Sequence, residues 1–323
     1  MKDLKEYIKE GLFDDIDKIE GKNSLALNTK QLEKEIKDWV CNNYYTDQYC
    51  KKSKLLKKRS IKIDTSTSPP TVTMASPFPI YFRWGNSLNN NGMFQWGDVS
   101  DSFVSLSPIL NTLDGAPKKV DKLFNCTHCV VESLEGGPEE VGEFTVKSRC
   151  LKNLKGMPTV KSHITVVSDY LTSLDGCPKV VEGDFLINCS KLKSLKGCSN
   201  EVKGDFICEY CTSLETLEGA PKEVGGNFNC DGCKSLKSLK GAPEEVGGGF
   251  SCYGCKSLTS LEGAPKKVGG DFDCAYCDNI TTLKGCPEEV GGNFEINFNT
   301  SLKVIDYKPK KLGGKITNLK AIF

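Results

Sequence analysis

Residues Gly225 to Val246 read GGNFNCDGCKSLKSLKGAPEEV, Gly247 to Val268 read GGGFSCYGCKSLTSLEGAPKKV, and Gly269 to Val290 read GGDFDCAYCDNITTLKGCPEEV. A fourth unit opens at Gly291. Outward from these blocks, Pro117, Pro138, Pro158, Pro178, Pro221, Pro243, Pro265, Pro287 and Pro309 keep a spacing of 20 to 22 residues, with Ser199 filling one slot. A fixed period of this length is the signature of a solenoid, in which each coil contacts only its neighbours.

Within one unit the apolar positions are Phe228, Cys230, Cys233, Leu236, Leu239 and Val246. Phe228 and Cys230 alternate with polar residues, which predicts a short strand with both side chains inward and the rest as the return path of the coil. The Gly pairs at 225/226, 247/248, 269/270, 291/292 and 313/314 are expected to supply positive φ ahead of each strand. Gly-Ala-Pro then fixes the opposite corner. The column Phe124, Phe144, Ile164, Phe185, Phe206, Phe228, Phe250, Phe272, Phe294 is expected to stack at about 4.8 Å per coil along one parallel sheet.

The charges supply an independent check. The residue before the corner Gly, a place taken by Tyr307 in the last coil, runs Glu135, Lys155, Asp175, Lys196, Glu218, Lys240, Glu262, Lys284, Asp306, alternating in sign through nine coils. The pairs Glu244/Glu245, Lys266/Lys267, Glu288/Glu289 and Lys310/Lys311 do the same. Alternation has a physical reason only if successive coils stack in register and place opposite charges side by side.

Five Cys-x-x-Cys pairs occur, Cys126/Cys129, Cys208/Cys211, Cys230/Cys233, Cys252/Cys255 and Cys274/Cys277, and their spacing fits a zinc-ribbon pattern. Other coils carry Val146, Val166, Ile187 and Ile296 at the first position, and Asp169, Asn299 and Ser190 or Cys189 at the second. A column that exchanges Cys with Val and Ile reads as buried, reduced, metal-free core.

The unit Phe-x-Cys-x-x-Cys-x-x-Leu-x-x-Leu followed by Gly-Ala-Pro resembles a leucine-rich repeat of the cysteine-bearing type, in a variant that recurs in proteins of large tailed phages. The resemblance spans 103–323 and implies a curved parallel β solenoid acting as a binding scaffold, with no cofactor and no catalysis. It also implies that the second Cys column bonds the backbone of the turn. A second resemblance lies at the start: Ile8-Lys9-Glu10 before Gly11 is similar to the cleavage site of capsid-targeting propeptides in T-even-type phages, which implies trimming between Glu10 and Gly11.

Upstream, residues 1–50 carry helical spacing, with Leu4, Ile8 and Leu12 in one helix, and Asn28 and Gln31 as a capping box before Leu32, Ile36, Trp39 and Val40 in another. Residues 51–79 read as a linker, basic from Lys51 to Lys62 and then rich in Ser, Thr and Pro. The aromatics of 80–102, among them Tyr81, Phe82, Trp84, Phe94 and Trp96, are expected to cap the first coil.

With 43 Lys and Arg against 42 Asp and Glu, the net charge is +1, so no global field favours nucleic acid or an anionic membrane. No apolar run approaches the ~20 residues of a membrane span. Odd cysteine usage and an N-terminus without a secretory pattern predict a reducing compartment, the host cytoplasm, with packaging in a virion as the alternative. Only His128 and His163 are present and no phosphate-binding Gly-x-x-x-x-Gly-Lys motif exists, which leaves relay and nucleotide chemistry without material.

One face of the strands remains. Its outward positions hold Asp205, Glu209, Asn229, Asp231, Tyr253, Asp271, Asp273, Glu295 and Asn297. Acids and amides dominate it, so the expected ligand is a protein with a basic surface, and the competing class is a glycan-cleaving enzyme with Asp271, Asp273 and Glu295 as its carboxylates.

Overall fold

The computed structural model describes residues 22–45, 61–67, 69–74, 80–82, 88 and 95–318. Glu10, Gly11, the first expected helix, most of the basic run, and Trp84 and Phe94 lie outside the described residues.

From Phe103 onward the chain is a parallel β solenoid of about 11 coils. Each coil gives one strand to a 14-stranded sheet, and the register is that of the sequence columns: Phe206 opposes Phe228, then Phe250, Phe272 and Phe294 in turn. Phe103 begins the column and Ile316 ends it. All nine spine phenylalanines are fully buried. Their rings follow one another at 5.1 Å from Phe228 to Phe250 and 5.3 Å from Phe250 to Phe272, nearly parallel in both cases. Ile164 interrupts the aromatic run between Phe144 and Phe185.

A second sheet is the main feature that the columns did not announce. Val181, Val202, Val224, Val246, Val268 and Val290 turn inward from two-residue strands that form a seven-stranded parallel sheet on the return path. The charge alternation sits on its outer side. Glu245, Lys267, Glu289 and Lys311 are direct cross-strand neighbours, and Lys267 lies 3.7 Å from Glu245. In the adjoining row Lys266 reaches Glu244 at 3.1 Å and Lys310 reaches Glu288 at 2.8 Å. At the corner Lys284 meets Glu262 at 2.7 Å and Lys196 meets Glu218 at 3.5 Å. These pairs are exposed and individually weak, so they select register more than they stabilise the coil.

The glycine pairs act differently from the expectation. None of them has positive φ; the left-handed glycines are those of the corner, such as Gly219 (φ 89) and Gly263 (φ 91), together with Gly232 and Gly254 just after their strands. The first glycine of each pair is required by close approach instead. A Cβ on Gly269 would lie 2.0 Å from the carbonyl oxygen of Gly247, and one on Gly291 would lie 2.0 Å from that of Gly269. The coils stack there backbone on backbone.

The N-terminal cap is also more ordered than a linker. Helix α1, Lys22–Asn43, buries Ile36 and Val40, one turn apart, in the core, and Asn28 lies inside it rather than at its start. Ile61–Asp64 and Thr71–Met74 pair antiparallel, and Thr71–Met74 pairs with Gln95–Trp96. Tyr44–Tyr45 pairs with Ile80–Phe82, which joins the long sheet beside Phe103–Ser105. Trp96 sets its ring edge-on to Phe103 at 5.8 Å and donates its indole N–H to the Leu88 carbonyl, closing the end of the spine.

Two glycine variants separate close approach from backbone conformation. Gly254 has φ 68 with nothing within 4 Å of its absent Cβ, so Gly254→Ala is expected to lose only the ~1–2 kcal/mol of a left-handed residue. Gly269→Ala must push two coils apart and is expected to lose more than ~3 kcal/mol, although its φ is unremarkable. Denaturant midpoints of the two variants check the order; Gly254→Ala being the more damaging would refute the stacking argument.

Candidate functional site

The outward side chains of the long sheet form columns set by their distance from the spine Phe. The column one residue before it is a ladder of side chain to backbone bonds. Asp184 Oδ1 accepts from the amide of Asp205 at 2.8 Å, Asp205 Oδ1 from that of Asn227 at 2.7 Å, Asn227 Oδ1 from that of Gly249 at 2.7 Å, and Asp271 Oδ1 from that of Asn293 at 2.6 Å. Asp205 and Asp271 therefore help to hold successive coils in register as well as face solvent. Lys315 ends the same column, so the face is not free of lysine in its last coil.

At Gly249 the ladder has no side chain, and a groove of about 280 Å³ opens there. Asp205, Asn227, Asn229, Ser251, Asp271, Asp273 and Glu295 line it. The neighbouring columns are linked diagonally: Asn229 Nδ2 donates to Glu209 Oε1 at 2.7 Å, Ser251 Oγ donates to Asp231 Oδ1 at 2.5 Å, and Asn297 Nδ2 donates to Thr317 Oγ1 at 3.0 Å. Asp231 also accepts from the Tyr253 amide at 2.8 Å, and Asp273 from the Ala275 amide at 2.8 Å. The structure thus brings Asp205, Asn229, Asp271, Asp273 and Glu295 to one groove, with Glu209, Asp231 and Tyr253 beside it and Asn297 beyond it.

The electrostatics of the groove are those of carboxylates without counter-ions. Asp205, Glu209, Asp231, Asp271, Asp273 and Glu295 form no ion pair among the described residues, whereas the outer rows of the second sheet are paired. Burial, followed by the charges of Glu295, Asp231 and Asp271, pushes the Asp273 carboxyl up to about 6. Burial raises Glu209, with Asp231 adding to it, and burial raises Asp231. The folded chain therefore holds the Asp273 proton up to about pH 6, against 3.8 for an unperturbed Asp, and stability is lost as pH rises through that window. Asp273→Asn retains an acceptor for the Ala275 amide and is expected to raise the melting temperature at pH 7.5 by about 1–3 °C, a gain that shrinks toward pH 4.5. A gain that is the same at both pH values would contradict it.

An aromatic row that the columns did not reveal borders the groove. Tyr210, Tyr276 and Phe298 occupy the position four after the spine Phe, with φ of 54, 57 and 58, and Gly232 and Gly254 fill that position in the coils between. Glycine in the column was the available signal: it marks a left-handed site, from which a larger side chain projects. Tyr210, Tyr253 and Tyr276 are exposed, Tyr253 lies 5.0 Å from Tyr276, and Tyr276 lies 4.6 Å from Phe298.

The cysteine columns are interior. Cys233, Cys255 and Cys277 each donate a thiol hydrogen at 3.2 Å to the carbonyl of the first Cys of the preceding coil, and Asn299 does the same through Nδ2. In the shortened coils the buried hydrogen-bonding side chain stands one residue earlier than expected, at Ser148 and Ser168, and donates instead to the carbonyls of Val131 and Leu151, so Ser168 rather than Asp169 is the inward residue. Cys126 and Cys129 bring their side chains together in the first cysteine-bearing coil, with Cα atoms 6.1 Å apart. Burial pushes Cys177 up to about 12 and Cys198 and Cys274 well above the ordinary thiol range, which suppresses the thiolate that redox exchange and metal binding need. Among the described residues no cluster of three or more His, Cys, Asp or Glu is placed to hold a metal ion. Cys230, Cys252 and Cys274 are expected to resist iodoacetamide at pH 8 in the native protein and to react fully in guanidinium; peptide mapping reads this, and native labelling at those sites would overturn it.

No helix of the described residues is long and apolar enough to cross a membrane. The chain matches no protein-family model, no curated protein and no solved structure.

Proposed function

We propose that the solenoid is a non-enzymatic protein-binding scaffold whose acidic and amide-rich strand face takes a basic surface. The observation that carries this reading is the set of six unpaired carboxylates, of which Asp231, Asp273 and Glu209 are held above their ordinary pKa. Ionised carboxylates crowded in this way gain from an arriving cation, because it relieves their mutual repulsion and replaces the water lost on burial. Tyr210, Tyr253 and Tyr276 add ring surface for the stems and heads of Lys and Arg.

The test is fluorescence anisotropy with a labelled Lys/Arg-rich peptide of about a dozen residues. Binding is expected at pH 7.5, weakening about tenfold or more from 50 to 300 mM salt. It should also weaken as pH falls through about 6, because Asp273 must give up its proton to pair. The double variant Asp273→Asn/Glu295→Gln is expected to lose about tenfold in affinity. No binding by the wild type, or binding indifferent to these two side chains, would overturn the proposal. Glycan cleavage takes its support from one observation, the raised Asp273 beside Glu295 in an open groove; release of reducing sugar by the wild type and not by Asp273→Asn would favour it instead.

A further inference from the structure

The chain carries its own candidate ligand for this face. Lys51, Lys52, Lys54, Lys57, Lys58 and Arg59 place six cations in nine residues with no acid among them, and Leu55 and Leu56 stand at the centre. The lysines of the outer ladder, by contrast, already pair with glutamates. Six cations around two leucines complement six unpaired carboxylates beside an exposed tyrosine row, in charge and in apolar content. An extended segment of nine residues reaches about 27 Å, enough to cross the five coils from Phe206 to Phe294, which stack over about 19 Å.

The same chain cannot make this contact with itself. Fifteen residues, 46–60, separate Tyr45 from Ile61, and both ends are held in the N-terminal cap. A segment of that length anchored at both ends extends out and back by at most about 27 Å. The strand Phe250–Ser251 at the groove lies nine strands along the sheet from Tyr44–Tyr45, which is about 43 Å. Resting on the reading of the acidic face given above, we infer that its partner is a second copy of this chain, which docks its basic segment 51–59 across the coils from Phe206 to Phe294. The strands that flank the basic segment, Tyr44–Tyr45 and Ile61–Asp64, belong to the N-terminal cap, and the acidic face belongs to later coils, so an antiparallel two-fold pair satisfies both contacts at once.

Sedimentation velocity on the full chain at 50 and 500 mM NaCl tests this. Concentration-dependent association is expected at low salt and its loss at high salt. Lys57→Glu/Lys58→Glu/Arg59→Glu in one variant, and Asp273→Lys/Glu295→Lys in another, are each expected to weaken association at least tenfold. Asp271 and Asp205 are left intact because they hold coil register. Mixing the two variants pairs a reversed segment with a reversed face and is expected to restore a heterodimer, an outcome that misfolding of either cannot produce. A wild type that stays monomeric at 100 μM and low salt, or variants that associate like it, overturns the inference. If the labelled basic peptide still binds in that case, the scaffold reading stands alone; if neither peptide nor second copy binds, both fall.

Discussion

Backbone hydrogen bonding between consecutive coils sets every other requirement of this molecule. The amide of Phe228 donates to the carbonyl of Gly249, that of Phe250 to Asp271, and that of Cys252 to Asp273, each at 2.8 to 2.9 Å, so identical positions lie one strand spacing apart for the length of the array. Whatever occupies a column must then tolerate a copy of itself directly above and below. Phenylalanine tolerates this by stacking, cysteine by donating to a neighbouring carbonyl, and aspartate by accepting the next amide. Lysine and glutamate meet it in the last coils by alternating, Glu245, Lys267, Glu289 and Lys311 in turn, whereas upstream Glu201 opposes Glu223. Where the return path brings backbone onto backbone, no side chain is tolerated, and glycine recurs at Gly225, Gly247, Gly269, Gly291 and Gly313.

This rule explains which parts of the fold the sequence displayed. The spine, the inward Cys columns and the ladder of signs are properties of single columns, legible by aligning the chain with itself. The second sheet was not, because its strands are two residues long and a pair such as Glu245–Val246 shows no alternation. The work of the glycine pairs was hidden for another reason: the obstacle to a Cβ on Gly269 is the carbonyl of Gly247, which becomes a neighbour only after stacking. In the short coils a one-residue deletion moved the buried hydrogen-bonding position from five to four after the spine residue, which is why Ser168 and not Asp169 takes it.

The candidate face divides by the same rule. An acid in the column before the spine residue is engaged by the next amide, and Asp205 and Asp271 belong to that class. Charge in that column is compatible with a structural role alone. Asp273 and Glu295 occupy the column after the spine residue, where the side chain has no amide of the next coil to accept from. Asp273 instead bonds the amide two residues on in its own coil and faces Glu295 across one strand spacing. Sequence position alone gave both columns the same outward direction and could not separate them.

That separation bears on how the face recognises anything. On its return path the chain sets Glu201 opposite Glu223, and only from Glu245 onward do Lys267 and Lys311 give each carboxylate a cation one strand spacing away. On the face it keeps Asp273 beside Glu295, with Asp231 and Asp271 close enough to raise the Asp273 carboxyl to about 6. In the contact proposed above, the repulsion of the free chain would be relieved by a seated cation, so it would enter binding as a difference between the two states and not as a constant. Because Asp271 and Asp205 are fixed by the backbone of the next coil, the field they add is in place before any ligand arrives. The groove at Gly249 lets a positively charged group come within reach of that field without displacing a side chain.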